Sequence, residues 1–150
     1  MPEVEVAFLL LFVAVLLIFF APRLVTVLLG KTTRRKLTNV TPTKFEYKVA
    51  DYYEKLGYDP LVTRQSGEDG VDIIARKNGE AIAVQAKRYQ LSNKVSTRAV
   101  ENTHMAMKRV RADRAAVVTS SSFTNSAVER AEELGVNLVT GSEMVMVLDE

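Results

Sequence analysis

The chain has 150 residues, 47% of them hydrophobic, and a formal net charge of +2; a chain of this length can bury one ordinary hydrophobic core. It contains no cysteine and a single histidine, His104, which excludes disulfides, thiolate metal sites and multi-histidine metal sites. Any bound metal must therefore be held by oxygen ligands, as Mg²⁺, Mn²⁺ and Ca²⁺ are.

An apolar segment lies near the start of the chain. Residues 6–21 form an uninterrupted run of sixteen apolar residues, slightly shorter than the roughly 20 that cross a bilayer as a helix, and apolar residues resume after Pro22 and Arg23. Acidic rather than basic residues precede the run, which argues against a signal peptide, and it lacks the polar stripe of a core helix. We expect one transmembrane helix within residues 1–30 that contacts membrane lipid through residues 4–29.

A basic segment follows the apolar run. Residues 22–36 carry five Lys or Arg and no acid. Because such residues favour the cytoplasmic side of a transmembrane helix, we expect a single-pass protein of the cell membrane whose remaining domain is cytoplasmic. We interpret residues 31–41 as a basic juxtamembrane linker, for which binding to anionic lipid is favoured over a role as a DNA-binding arm.

Residues 42–150 are predicted to form one α/β domain, a sheet covered by helices on both faces, with the element order α-β-β-α-β-α-β. The predicted elements are a helix over 43–58 that stops at Gly57, an edge strand in 59–66, a hairpin over 70–88, a helix over 96–112, a buried strand over 114–120, a helix over 126–135 closed by Gly135, a strand over 136–141 and a segment from 142 capped by Ser142. The residues expected to face the core are Phe45, Val49, Tyr52, Tyr53 and Leu56 in the first helix and Val100, Met105 and Val110 in the second.

The hairpin is predicted to turn at Asn78 and Gly79. Asn-Gly is the preferred pair for a two-residue type I′ turn, because both positions take a positive φ. This loop pairs Lys77 with Glu80, and the strands further from the turn are mainly apolar, at 73–75 and 81–84.

Three polar side chains are predicted to meet at the open end of this hairpin. Continuing the register places Asp72 directly opposite Gln85, so that the two side chains share one face. Lys87 lies two residues beyond Gln85 and belongs to the same face. The residues alone leave two interpretations open, a functional site or a partly buried Asp72–Lys87 ion pair, since ion-pair networks also look like this.

The pattern D…QxK, with the acid at the head of one strand and the lysine on the next, resembles the signature of the PD-(D/E)XK nucleases in its variant with Gln in place of the second acid. Several further motifs in the same order resemble the catalytic domain of the Mrr-type restriction endonucleases, over roughly residues 42–148. These motifs are FE at 45–46, LGY at 56–58, GEDGVDI at 67–73, VQAKRY at 84–89, VVTSSSFTNSAVERAEE at 117–133 and LVTG at 138–141.

This resemblance implies a restriction-endonuclease-like mixed sheet and a site that hydrolyses phosphodiester bonds with Mg²⁺ or Mn²⁺. Asp72 would be the main metal ligand and the carbonyl of Ala86 a second ligand. Gln85 stands where most relatives of the fold have an acid, and its amide oxygen can bind a metal but adds no negative charge. Lys87 would position the attacking water or stabilise the charge of the transition state.

Glu46 has two interpretations. Thr43-x-x-Glu46 matches a capping box, in which Glu46 would bond the backbone at the start of the first helix. The resemblance instead places a first-helix Glu beside the metal or the lysine, as a fourth catalytic residue, and we favour this role. Glu68 and Asp69 precede Asp72 in a Gly-flanked loop. We expect them to be loop residues, or to contact the ligands of the metal rather than the metal itself.

Basic residues cluster after the hairpin, where eight lie within 87–114. Arg88, Lys94 and Arg98 are closest in sequence to the site and are the preferred candidates for contacts with DNA phosphates. The basic residues of 108–114 are equally well explained as a solvated helix face. The hydroxyls of 120–124 could bind phosphate or, more commonly, cap the next helix.

The sequence thus predicts a membrane-anchored, divalent-metal-dependent DNA endonuclease. The alternative is a protein of the same fold that binds DNA, or tethers it to the membrane, without cutting it. A junction-resolving enzyme is disfavoured because the second acid is absent, and a structural membrane protein leaves the D…QxK pattern unexplained. The expected partners are DNA and membrane lipid, with a homodimer as a further hypothesis.

Overall fold

The computed structural model describes residues 37–63 and 70–149. The elements in this part of the chain are helices α1 (Pro42–Lys55), α2 (Thr97–Arg109), α3 (Asn125–Leu134) and α4 (Gly141–Leu148), and strands β1 (Asp59–Val62), β2 (Ile73–Lys77), β3 (Glu80–Lys87), β4 (Lys94–Val95), β5 (Arg114–Thr119), β6 (Ser122–Phe123) and β7 (Val136–Val139). None of the helices within these residues has the length and hydropathy needed to span a bilayer. The transmembrane helix predicted within residues 1–30 lies outside the described residues.

The main sheet has five strands in the order β1-β2-β3-β5-β7. β1, β2 and β3 are antiparallel neighbours, whereas β3, β5 and β7 run parallel. α1 and α4 pack on one face of the sheet and α2 and α3 on the other. The predicted mixed sheet between helices is thereby confirmed. A short parallel pair, β4 with β6, was not predicted.

Helix α1 buries the predicted face, with one exception. Phe45, Val49, Tyr52 and Tyr53 are buried against the sheet, as the helical spacing predicts. The prediction for Leu56 was wrong, because the helix ends at Lys55 and Leu56, as its C-cap, is 38% exposed.

Helix α2 differs from the prediction in its inward face. Val100 is buried, but Met105 is 58% exposed, so its predicted burial was wrong. At about 100° per residue, five positions separate two side chains by roughly 140° around a helix. The buried face is centred on Thr103, with Val100 and Ala106 each about 60° to one side of it, whereas Met105 lies about 160° from Thr103 and so points away from the sheet.

Two further predictions concern the ends of elements. Helix α3 closes at Gly135, which has a φ of 66°, as predicted. Helix α4 is capped by Thr140, whose hydroxyl and backbone exchange hydrogen bonds with Glu143 in a capping box. The predicted cap at Ser142 was wrong, because Ser142 lies inside the helix that begins at Gly141.

The core also reaches into the segment that the sequence assigns to the linker. Leu37 is 2% exposed and packs in the cluster formed by α1, α4 and the sheet. Thr38 is buried as well, and its carbonyl accepts a 2.9 Å hydrogen bond from Nη1 of Arg88. The end of the predicted linker is thus part of the packed domain.

Candidate active site

The site begins at the β2–β3 hairpin, which has the predicted turn. Asn78 and Gly79 have φ angles of 52° and 86°, as a type I′ turn requires. The ladder runs from Lys77–Glu80 at the turn to Ile73–Val84 at the open end. The predicted register of the hairpin is confirmed over these pairs.

Asp72 leaves the ladder through a β-bulge. Its N–H donates a 2.8 Å hydrogen bond to the carbonyl of Val84, although Val84 is already the partner of Ile73. Two successive residues of one strand therefore oppose a single residue of the other, which is the pattern of a bulge. The predicted pairing of Asp72 directly with Gln85 is replaced by this arrangement, and bulges of this kind redirect a side chain.

The backbone around the bulge is held from the neighbouring strand. The N–H of Thr63, directly after β1, donates to the carbonyl of Asp72 at 2.8 Å, and the Thr63 hydroxyl donates to the carbonyl of Val71 at 2.9 Å. These bonds satisfy the carbonyl groups of Val71 and Asp72, which make no bond in the β2–β3 ladder. The bulge is therefore fixed on both sides.

The Asp72 carboxylate lies at the start of β2 and is only 7% exposed. Its Oδ2 accepts a 2.7 Å hydrogen bond from the N–H of Ala86. Burial raises the pKa of Asp72, and the Ala86 bond and the positive charge of Lys87 offset part of that rise. Burial has the largest effect, so the ionised carboxylate is held at a cost in free energy.

Glu46 lies on α1, close enough to Asp72 for the two carboxylates to interact electrostatically. Burial raises its pKa, and the negative charge of Asp72 raises it further. The capping-box interpretation was wrong, because Thr41 is the N-cap and its hydroxyl accepts a bond from the N–H of Lys44 at 3.3 Å. Pro42, at the first helical position, is the sequence signal for this cap. Glu46 is the fifth residue of α1 and is free of the capping role.

Gln85 lies on the face of the sheet that α2 covers. It is 2% exposed, and its amide contacts the hydroxyl of Thr103 at 3.1 Å. That hydroxyl also donates to the carbonyl of Ala99 at 2.8 Å, and a hydroxyl has one proton to donate. Oε1 of Gln85 accepts from this hydroxyl, so its single proton is shared with the Ala99 carbonyl, and the amide oxygen of Gln85 is directed toward α2.

Lys87 is the last residue of β3 and is half-buried. Its charge lowers the pKa of Asp72, yet Asp72 and Lys87 are not among the ion pairs that join described residues. The interpretation of these two residues as a structural ion pair therefore lacks its defining contact.

The oxygen ligands predicted for this site would suit a divalent ion that binds few protein groups. Within residues 37–63 and 70–149, no group of three or more acidic or histidine side chains could hold a metal. Asp72 and Glu46 supply two carboxylates, and Mg²⁺ commonly binds one or two carboxylates and keeps several waters. The predicted ligands Ala86 and Gln85 would add a carbonyl and an amide oxygen. Glu68 and Asp69 lie outside the described residues.

The predicted DNA contacts differ in their surroundings. Lys94 and Arg98 are exposed, as residues that meet phosphates must be. Arg88 is half-buried and donates to the carbonyl of Thr38, so part of its guanidinium is engaged within the domain. The basic residues from Lys108 to Arg114 are exposed, and Arg114 contacts Glu80 at 3.8 Å.

Sequence reasoning missed two buried hydroxyl residues beside the site, Thr103 and Thr119, and gave a different role to two more, Ser120 and Ser121. Thr103 contacts Gln85, and Thr119 bonds the carbonyl of Lys87. Ser120 and Ser121 bond the chain that follows Lys87. The phosphate-binding interpretation does not fit Ser120 and Ser121, which are fully buried. The capping interpretation is confirmed for Thr124, whose hydroxyl accepts a bond from the N–H of Ala127 at 3.1 Å.

Comparison with known proteins gives a family match over most of the chain. The family model Mrr_cat, described as a restriction endonuclease, matches residues 37–148. A curated relative, the type IV methyl-directed restriction enzyme EcoKMrr of Escherichia coli (strain K12), is 33% identical over 123 residues, which cover 76% of this chain. The chain spans 40% of the length of that relative.

Solved structures show the same fold at low sequence identity. The DNA modification-dependent restriction endonuclease AspBHI has a TM-score of 0.64 at 22% identity, over 82% of this chain and 34% of its own. The protein of unknown function AF1548 has a TM-score of 0.60 at 15% identity, over 69% of this chain and 65% of its own. MspJI, solved with a 27-mer oligonucleotide, has a TM-score of 0.51 at 21% identity, over 83% of this chain and 30% of its own.

Proposed function

Because this chain belongs to the Mrr_cat restriction endonuclease family, we propose that its domain is a divalent-metal-dependent endonuclease that hydrolyses phosphodiester bonds in DNA. The observation that carries the proposal is the bulge at Asp72. It joins the buried carboxylate to the N–H of Ala86, next to Lys87, and places it where its charge raises the pKa of Glu46. Perturbed carboxylates gathered near a lysine are typical of a catalytic site.

The reaction requires an activated water, stabilisation of negative charge on the phosphate and protonation of the departing 3′ oxygen. Mg²⁺ or Mn²⁺ held by Asp72, Gln85 and the carbonyl of Ala86, with Glu46 beside it, would supply a Lewis acid and lower the pKa of a bound water. Lys87, at the end of β3, contributes positive charge to the phosphate as negative charge develops there. The buried setting of Asp72 strengthens each of these electrostatic interactions.

We propose that DNA is bound through phosphate contacts of Lys94 and Arg98, with Arg88 as a third and less accessible contact. The exposure of the first two and the oligonucleotide in the MspJI structure support DNA as the partner. A homodimer, in which each copy cuts one strand, is the accompanying hypothesis, and the molar mass of the detergent-solubilised chain tests it.

We further propose that the domain is anchored to the cell membrane by a single helix and lies in the cytoplasm. The support is the apolar run of residues 6–21 followed by five basic residues within 22–36. Anchoring of this kind would hold the nuclease domain close to the inner surface of the membrane, where the basic residues can bind anionic lipid.

The proposal is tested by incubating the full chain in detergent with labelled DNA in Mg²⁺, Mn²⁺ or EDTA. The substrates are unmethylated, methylated, branched and single-stranded DNA, since the curated relative is methyl-directed. We expect cleavage of at least one substrate with a divalent ion and none in EDTA. Binding to DNA without cleavage under every metal condition would favour the alternative, a DNA-tethering protein of the same fold.

A further inference from the structure

Three consecutive hydroxyl residues at the end of β5, namely Thr119, Ser120 and Ser121, are each fully buried. We refer to them as the hydroxyl clamp. Buried hydroxyl groups are costly unless they are hydrogen-bonded, so the partners of these three groups indicate what they do.

The partners lie at the end of β3 and on the segment that follows it, residues 88–93. Thr119 donates to the carbonyl of Lys87 at 2.8 Å. Ser120 makes two bonds with one residue, since its hydroxyl accepts from the N–H of Tyr89 and donates to the Tyr89 carbonyl, both at 2.8 Å. Ser121 donates to the carbonyl of Asn93. The clamp therefore binds the backbone at the last residue of β3 and at two residues of the 88–93 segment, Tyr89 and Asn93.

This segment belongs to neither sheet. Residues 88–93 connect β3 to β4, and without a ladder their backbone groups need other partners. Ser120 meets Tyr89 as a neighbouring strand would, through one donor and one acceptor. Side-chain hydroxyls thus provide, beyond the end of β3, the backbone hydrogen bonds that a neighbouring strand would provide.

The clamp is held from its other side by the start of α4. A Cβ added to Gly141 would lie 2.4 Å from the carbonyl oxygen of Ser120 and 2.8 Å from its carbonyl carbon, far closer than atoms can approach. The N–H of Gly141 also donates to the carbonyl of Ser121 at 3.4 Å. Ser120 and Ser121 therefore lie between the 88–93 segment and a helix that approaches closely because residue 141 has no side chain.

The position of the clamp relates it to the proposed reaction. The segment it holds begins after Lys87, which we assign to the phosphate, and ends before Lys94, which we assign to DNA. A shift of the segment would move both amines relative to Asp72, and a misplacement of about 1 Å can reduce a rate about a hundredfold.

We propose that Thr119, Ser120 and Ser121 are positioning residues that fix the backbone of residues 88–93 and thereby preset the geometry of Lys87 and Lys94. The inference rests on the proposed nuclease function for its catalytic consequence, but the fixing of the backbone does not depend on that function.

The test compares Ser120→Ala with two controls in the full chain. Ser92→Ala removes an exposed hydroxyl of the same segment that contacts only Asn93 among the described residues, and Thr119→Ser retains the hydroxyl that Thr119→Val removes. Amide hydrogen exchange is measured in peptides that cover 88–93, with the hairpin turn as the internal reference for an intact fold. Single-turnover cleavage is measured at saturating DNA.

We expect Ser120→Ala and Thr119→Val to raise exchange in 88–93, leave the hairpin turn protected and slow cleavage by about tenfold to a hundredfold. Ser92→Ala and Thr119→Ser should resemble the wild type. Wild-type exchange in 88–93 of Ser120→Ala would overturn the proposal, and so would raised exchange with an unchanged cleavage rate. If the wild type cuts no DNA, the proposed function fails, while the exchange data still decide whether the hydroxyls fix this segment.

Discussion

The N–H of Ala86 donates a 2.7 Å hydrogen bond to Oδ2 of Asp72. This bond joins the head of β2 to the residue before Lys87, so the acid and the lysine of the D…QxK pattern are tied through one backbone amide. It also fixes one oxygen of a carboxylate that burial makes costly to ionise. The relationship depends on the bulge, since a regular ladder would have kept Asp72 opposite Gln85.

The effect of replacing Asp72 on the free energy of unfolding distinguishes a functional role of this acid from a structural one. Asp72→Asn keeps an oxygen that can accept the Ala86 bond but removes the buried charge, so we expect a change in the free energy of unfolding of no more than about 1 kcal/mol, in the stabilising direction. A structural pair with Lys87 would instead lose roughly 3–5 kcal/mol. Urea unfolding of the full chain in detergent, followed by tyrosine fluorescence, measures the difference, and Asp72→Asn with Lys87→Met should recover the loss only in the structural case.

Stability in the absence of metal should depend on pH in a direction set by Asp72 and Glu46. Both have a raised pKa in the folded protein, so between the ordinary carboxyl pKa of about 4 and the raised values the native state binds more protons than the unfolded state. The free energy of unfolding must then fall as pH rises through this window. We expect Asp72→Asn combined with Glu46→Gln to flatten that fall, measured by unfolding at a series of pH values in EDTA. An equally steep fall in the double variant would assign the pH dependence to other groups.

The three predicted DNA-binding residues should behave differently from one another. We expect Lys94→Ala and Arg98→Ala each to reduce the slope of log K against log salt by about one, without loss of stability. Arg88→Ala should also destabilise the domain, because the Thr38 carbonyl loses the Nη1 partner. Binding titrations at several salt concentrations check this, with Lys108→Ala on the exposed helix face as the control. Salt slopes equal to that of Lys108→Ala would assign Lys94 and Arg98 to a solvated surface.

The parts of the site that the sequence predicts follow from local rules. Asn78 and Gly79 determine the turn, and a two-residue turn fixes the register as far as Ile73 and Val84. Period-3.6 spacing identifies the buried side of α1. These features depend on residues that are neighbours along the chain or across one tight turn.

The parts that were not predicted depend on contacts between distant segments. A bulge such as that at Asp72 adds one residue to a strand, and the alternation of apolar residues carries no mark of it. The hydroxyls of Thr119 and Ser120 are ordinary strand-end residues in sequence, and their partners lie about 30 positions away, with separations of 32 and 31. The helix cap at Thr41 was missed because Thr43 has the same hydroxyl group and lies only two residues later. The signal that favours Thr41 is Pro42, since proline is common at the first position of a helix.

The membrane prediction is tested by a topology reporter. A reporter fused after residue 36 should be active on the cytoplasmic side, because five basic residues follow the apolar run. Digestion of residues 42–150 by protease added outside intact cells would contradict this orientation. Replacement of the basic residues of 31–36 by Gln is the matched control, and it should weaken the preference for one orientation.

The central claim is tested most directly by single-turnover cleavage of labelled DNA by the full chain in Mg²⁺, with Asp72→Asn as the matched variant. The account predicts that the wild type cuts the DNA, that EDTA abolishes cutting, and that Asp72→Asn binds the DNA as tightly but cuts it about a hundredfold to a thousandfold more slowly. Cleavage by Asp72→Asn at the wild-type rate, or cleavage by the wild type that EDTA leaves unchanged, would contradict it.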